Sequence, residues 1–156
     1  ADDHYVGPLR SAITAVKATG CKYIVQIGDP GYAAQMALFP KVEGSHSSSS
    51  GIDLIYGYRN TRIAMTEEQI EQSIQDFANA ARRVREMGAD GLEITAAKGY
   101  IIHQFLNPGL NRRKDKWGGS VDNRFRFLEE IVKAVRKEVG DDFLFGIRLA
   151  AEDHNI

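Results

Sequence analysis

One cysteine is all this sequence holds, and Cys21 alone cannot close an internal disulfide. Nor does any cysteine and histidine spacing suit zinc: His4, His46 and His154 are scattered, and His103 lies in an apolar stretch that favours a satisfied core imidazole over a ligand. No metal site is expected. A surplus of charge is missing as well, because 20 basic residues meet 21 acidic ones for a formal net charge of -1. No overall field therefore draws the chain to nucleic acid or an anionic membrane. No apolar run approaches the roughly 20 residues of a membrane helix. The start, Ala1 to His4, lacks the basic and apolar segments of a signal peptide. With one free thiol and no leader, a reducing cytoplasm is the expected compartment.

What is present is the balance of a globular domain with one core: 156 residues, 43% hydrophobic and 26% charged. Periodicity predicts a helix from Pro8 to Thr19 with Leu9, Ile13 and Val16 inward and Gly20 as its stop. Lys22 to Ile27 reads as a buried strand. From Asp29 to Met65 the pattern dissolves around a serine run, and residues 41–65 read as a flexible loop. Thr66 and Gln69 form a capping box, and Ile70, Ile74, Phe77, Ala81, Val84 and Met87 fall on one helical face closed by Gly88. Gly91 to Thr95 is the next strand, and Tyr100 to Leu106 suits a turn or two of helix. Ser120 or Asp122 caps a helix with Leu128, Ile131, Val132, Val135 and Val139 inward, stopped by Gly140. Phe143 to Leu149 is the third strand.

Helices and strands thus alternate, with tight helix-to-strand turns and long strand-to-helix loops. In parallel α/β folds those long loops gather at the carboxyl edge of the sheet, where ligands bind. Polar residues cluster there: Gln26, the Thr95 to Tyr100 stretch, and Arg148 with Glu152 and Asp153. Three strands are few for a parallel sheet covered on both faces. A homo-oligomer, or barrel segments outside this chain, should complete it.

Residues 90–126 carry the most specific pattern, with Gly99-Tyr100, His103-Gln-Phe-Leu106, Trp117-Gly-Gly-Ser120 and Asn123-Arg124 in register. This pattern closely resembles the Old Yellow Enzyme family of FMN-dependent oxidoreductases. Ile24-Val-Gln-Ile27 with Gly31, Met65 through Gly91, and Gly146-Ile-Arg-Leu149 with Glu152 and Asp153 resemble the flanking parts of the family barrel. The resemblance implies an α/β fold, a partial (β/α)8 TIM barrel running as one segment over 1–156, from the second helix to the fifth strand. Such barrels need about 250 residues. In the family the flavin phosphate is held by the last two strands, so this chain alone is expected to bind FMN poorly and to be inactive.

By the same resemblance, Gln26 would hydrogen-bond the pyrimidine edge of FMN, and Arg148 would place a fixed charge near the reduced flavin. Apart from the family, Gln26 could simply face solvent, and Arg148 could pair with Glu93. Thr95 and Lys98 stand where many relatives carry a His-x-x-His or His-x-x-Asn pair that clamps a substrate carbonyl. Their identity points to the branch resembling 2,4-dienoyl-CoA reductases, where Tyr100 would give a proton to substrate carbon. Its bland counterpart is a packing aromatic with its hydroxyl tied to backbone. Asp29 and Tyr32 replace a family histidine and arginine. The basic run Arg112, Arg113, Lys114 and Lys116 reads as a solvated loop, with Trp117 packing it against the barrel rim.

The implied activity is hydride transfer from NADH or NADPH through FMN to a small unsaturated substrate. Two other readings stay open. Lys98 could form a Schiff base, as in an aldolase, or the chain could be a non-catalytic half-barrel that associates with itself.

Overall fold

A computed structural model describes residues 3–32, 45–55 and 58–152. Asp153 and His154, singled out above, lie outside the described residues, as do 41–44 and 56–57. The elements in chain order are α1 (Val6–Lys17), β1 (Ile24–Ile27), β2 (Ser45–Ser47), β3 (Gly51–Ile55), β4 (Tyr58–Ala64), α2 (Glu67–Glu86), β5 (Gly91–Ala96), α3 (Ile101–Leu106), α4 (Val121–Val139) and β6 (Leu144–Leu149).

The long helices begin and end where local chemistry dictates. At α2 the Thr66 hydroxyl accepts from the Gln69 amide at 3.3 Å while the Gln69 side chain accepts from the Thr66 amide at 2.9 Å. Both donors would otherwise be orphaned in the first turn. Ser120 caps α4 in the same way, accepting from the Asn123 amide at 3.2 Å, and Gly140 stops it at a φ of 71°. Thr66→Ala is therefore expected to cost about 1 kcal/mol. Urea unfolding measures this, and an unchanged midpoint would mean that the cap contributes nothing.

β1, β5 and β6 form one parallel sheet in the order β1-β5-β6. Side chains alternate across it. On the outer face, Leu92, Ile94 and Ala96 are buried against α2 and α4, together with Phe77, Val84, Phe127, Ile131 and Val135. Phe127 stacks at 4.3 Å on Phe105 of α3, which closes the core beneath the loop that follows β5. The opposite face is built in layers, with Ile24, Gly91 and Leu144 in one register and Gln26, Glu93 and Gly146 in the next. A Cβ on Gly91 would stand 2.9 Å from both Ile24 Cδ1 and the Leu144 Cβ, so the lowest layer needs a residue without a side chain between its neighbours. Three neighbouring parallel strands, helices on one face and layered side chains on the other fit the part of a (β/α)8 barrel that the resemblance implies. Ile24 and Leu144 on the inner face remain 43% and 60% exposed, as expected where the rest of a barrel interior would cover them.

Three expectations require correction. Of the three α1 residues expected inward, Ile13 is buried but Leu9 and Val16 are 45% and 37% exposed. The helix is tied by polar contacts to the end of α2, with Arg10 donating to the Glu86 carbonyl at 3.1 Å and Lys17 to that of Gly88 at 2.8 Å. It does not lay its apolar stripe on the sheet.

The second correction concerns residues 41–65, read as a flexible loop: the described part carries a second sheet in the order β2-β4-β3. β4 pairs parallel with β2 and antiparallel with β3. The serines that suggested mobility are packed, and Ser47, Ser48 and Ser49 are buried. Ser48 donates to the Gln104 carbonyl at 2.8 Å, and Ser49 accepts from the Arg112 amide at 2.7 Å.

The basic run is accordingly less solvated than its composition suggests. Arg113 reaches under the loop, donating to the Ser48 and Met65 carbonyls at 3.1 and 2.8 Å while Asp115 holds the other edge of its guanidinium. Lys116 pairs with Glu67. Trp117 is buried and meets Phe127 edge-on, which packs the loop against the barrel flank as expected.

At the amino edge of the sheet, Asp90 locks β1 to β5. Its carboxylate accepts from the Tyr23 amide at 2.9 Å, and Lys17 and Lys22 each approach to 3.2 Å. The Tyr23 hydrogen bond first, then the lysines, push the carboxyl down to about 2. Because the folded value lies below the unfolded one, the contribution is complete above about pH 4 and is lost as pH falls toward about 2. Melting temperature against pH should show a step in that window that flattens in Asp90→Asn. An identical step in the variant would assign the acid sensitivity elsewhere.

Candidate active site

The upper layers of the inner face hold the polar residues. Glu93, from the central strand, accepts from the Gln26 amide and from Arg148, whose Nε lies 2.8 Å from Oε1. Gln26 and Glu93 are register partners, and Arg148 stands one layer above Glu93, beside Thr95. The Gln26 hydrogen bond, then the guanidinium, hold the Glu93 carboxyl below the usual carboxylate range. Arg148 thus makes the carboxylate contact foreseen as its structural role. It remains 55% exposed toward the barrel interior, with donors left over.

Above this layer, Thr95 and Tyr100 flank Gly28 at the end of β1. A Cβ on Gly28 would lie 3.3 Å from the Thr95 Cβ and 3.5 Å from the Tyr100 ring, so a larger residue there would crowd both side chains. Among the described residues, neither the Thr95 nor the Tyr100 hydroxyl makes a hydrogen bond. The bland reading of Tyr100, an aromatic with its hydroxyl tied to backbone, therefore has no support in the geometry. Lys98 is exposed and sits at a φ of 61°, a left-handed conformation that costs an L-residue roughly 1–2 kcal/mol. Asp29 turns its carboxylate onto the Gly31 amide at 2.7 Å, and its carbonyl accepts from the Ile101 amide at 2.9 Å, which joins the loops after β1 and β5.

Parallel pairing therefore brings Gln26, Thr95 and Arg148 to one face, and the loop after β5 sets the Tyr100 ring beside Gly28 at the carboxyl edge. A cavity of about 640 Å³ opens beside it, between β1 and α2, lined by Gln26, Gly28, Asp29, His46 and Gln69 but not by Thr95, Tyr100 or Arg148. It lies on the open edge of β1. Sequence reasoning missed Gly28 and Gln104, and only their place after a strand and within the His-Gln-Phe-Leu run could have signalled them.

The family described as NADH:flavin oxidoreductase / NADH oxidase matches residues 1–155. The chain belongs to this family. An NADPH dehydrogenase of Geobacillus sp. is 41% identical over 153 residues, which is 98% of this chain and 42% of that protein. An N,N-dimethylglycine/sarcosine dehydrogenase of Chromohalobacter salexigens is 49% identical over 96 residues, 62% of this chain and 14% of the relative. Among solved structures, a 2-naphthoyl-CoA reductase complex superposes with a TM-score of 0.88 at 34% identity, over 95% of this chain and 24% of that one. Morphinone reductase gives 0.83 at 28%, over 95% of this chain and 43% of its own. The chain thus spans under half the length of these relatives. No helix among the described residues is long and apolar enough to cross a membrane.

The donor set suits the flavin that this family takes. A carboxamide at Gln26 offers donor and acceptor together, as the mixed pyrimidine edge requires, and the spare guanidinium donors of Arg148 supply positive charge on the same face. Glu93 keeps that charge in place.

Proposed function

We propose that this chain supplies the flavin-facing middle of an FMN-dependent oxidoreductase that passes hydride from NADH or NADPH to an activated alkene. The observation that carries the reading is the shared inner face: Gln26 and Arg148 meet on Glu93, with Thr95 in register beside Arg148 and the Tyr100 ring beside Gly28. Bound FMN would accept hydride from the nicotinamide and deliver it to the substrate.

The residues of this chain do the rest. Gln26 and Arg148 hold and charge-balance the cofactor's polar edge. Thr95 can donate to a substrate oxygen, and Tyr100 can give a proton to the carbon next to the one that receives hydride. Lys98, exposed in the loop two residues before Tyr100, adds a cation that can meet an anionic part of the substrate. Without the usual carbonyl clamp, a thioester-activated substrate of the dienoyl-CoA type fits this set better than a simple enone. The family resemblance implies that the flavin phosphate is held by the last two barrel strands, so residues 1–156 alone are proposed to be inactive and to need those strands, or a second copy, over their open edges.

The full-length protein should be yellow and bleach with NADH or NADPH. A protein that stays colourless after FMN reconstitution would overturn the reading.

The 49% identical dehydrogenase favours a second reading, oxidation of an N-methylated amine. Anaerobic mixing separates the two, since dimethylglycine would bleach the flavin under the second reading and leave it yellow under the first. A Schiff-base role for Lys98 finds no support, because its exposed side chain lacks the desolvation that makes a lysine nucleophilic.

A further inference from the structure

Gly99, between Lys98 and Tyr100, is held at both of its backbone polar groups. Its N–H donates to His103 Nδ1 at 2.9 Å, and its carbonyl accepts from Gln104 Nε2 at 2.6 Å. Both partners come from the first turn of α3, so the turn and the helix that follows it form one unit. Gln104 is fully buried, and the same nitrogen reaches the Pro30 carbonyl at 3.4 Å, in the loop after β1. Gly31 makes the approach possible: a Cβ there would lie 2.8 Å from that nitrogen. Gly99 and Lys98 before it are both left-handed, at a φ of 73° and 61°. A non-glycine residue keeps that conformation only where its surroundings over-determine it.

We infer that His103 and Gln104 are positioning residues, which fix the Gly99 backbone and so set the Tyr100 ring beside Gly28. Neither is needed to touch substrate. The inference rests on the function proposed above for Tyr100, but the clamp itself is a property of the fold and can be measured separately. Its chemistry is specific. At 103 the side chain must offer a lone pair, so the ring nitrogen facing Gly99 carries no proton. At 104 it must donate to two carbonyls, which glutamine does and an ionised glutamate cannot.

The test uses the full-length protein and four variants. His103→Asn keeps an acceptor near the position of Nδ1, and His103→Leu removes it. Gln104→Glu and Gln104→Leu both remove the donor. Deuterium exchange at the Gly99 amide should rise at least about tenfold in His103→Leu and both Gln104 variants, and stay within about threefold of the parent in His103→Asn. Turnover should follow, with kcat about tenfold lower in His103→Leu and KM within about threefold. In a Tyr100→Phe background the same substitution should add little further loss. Unchanged Gly99 exchange in His103→Leu would overturn the clamp, and altered exchange with full kcat would overturn its positioning role. If a Gln104 variant fails to fold, the more accessible His103 pair still decides. If the parent has no flavin-dependent activity, the proposed function falls while the exchange data still judge the clamp.

Discussion

Arg148→Met in the full-length protein is expected to lower turnover by about 10²–10³-fold, the usual cost of removing one preorganised charge from a reacting centre. Two effects combine. The fixed positive charge disappears from the inner face, and Glu93 is left with Gln26 as its only partner of the two now bound to it. A carboxylate stranded there would oppose the build-up of negative charge on a reduced cofactor. The double variant Arg148→Met with Glu93→Gln separates the two effects: it should regain FMN retention but not the rate. A single variant with parental turnover would remove Arg148 from the site, leaving it only the structural pairing.

Tyr100→Phe is the second large effect. Removing the unpartnered hydroxyl should slow reoxidation of the reduced protein by substrate about 10²-fold or more, the scale of a lost general acid. Reduction by NADH or NADPH, which asks nothing of a proton donor at this edge, should change little. Stopped-flow measurement of the two half-reactions distinguishes them. Equal slowing of both would mean that the ring shapes the site and the hydroxyl does nothing; no slowing of either would assign proton transfer elsewhere.

Elements governed by neighbours in sequence were legible before any coordinates. The capping box at Thr66, the serine cap at Ser120 and the stop at Gly140 are contacts within four residues, and each forms as the residues imply. The apolar faces of α2 and α4 were readable for the same reason, because a period of 3.6 records which side meets the core. The second sheet was not. Ser45–Ser47 has no apolar signature, and it becomes a strand only by pairing with residues 62–64, some seventeen positions later. Arg113 was misread on similar grounds: its carbonyl partners at Ser48 and Met65 lie 65 and 48 residues away, and a run of basic residues does not say which of them is buried.

The site divides along the same line. Gln26, Thr95, Tyr100 and Arg148 stood out because they follow or end strands, where parallel topology gathers chemistry. Gln104 stayed hidden, since a polar residue inside an apolar helical turn gives no hint of the two loops it joins. The exposed Leu9 and Val16 on α1 show the reverse case, an apolar pattern without the neighbours to bury it.

The most direct test is a crystal structure of the full-length protein grown with FMN. The account predicts flavin density on the inner face, against Gln26 and Arg148, with Thr95 and Tyr100 at its substrate side. Flavin bound elsewhere, with Gln26 and Arg148 still closed on Glu93 and no ligand before them, would contradict it.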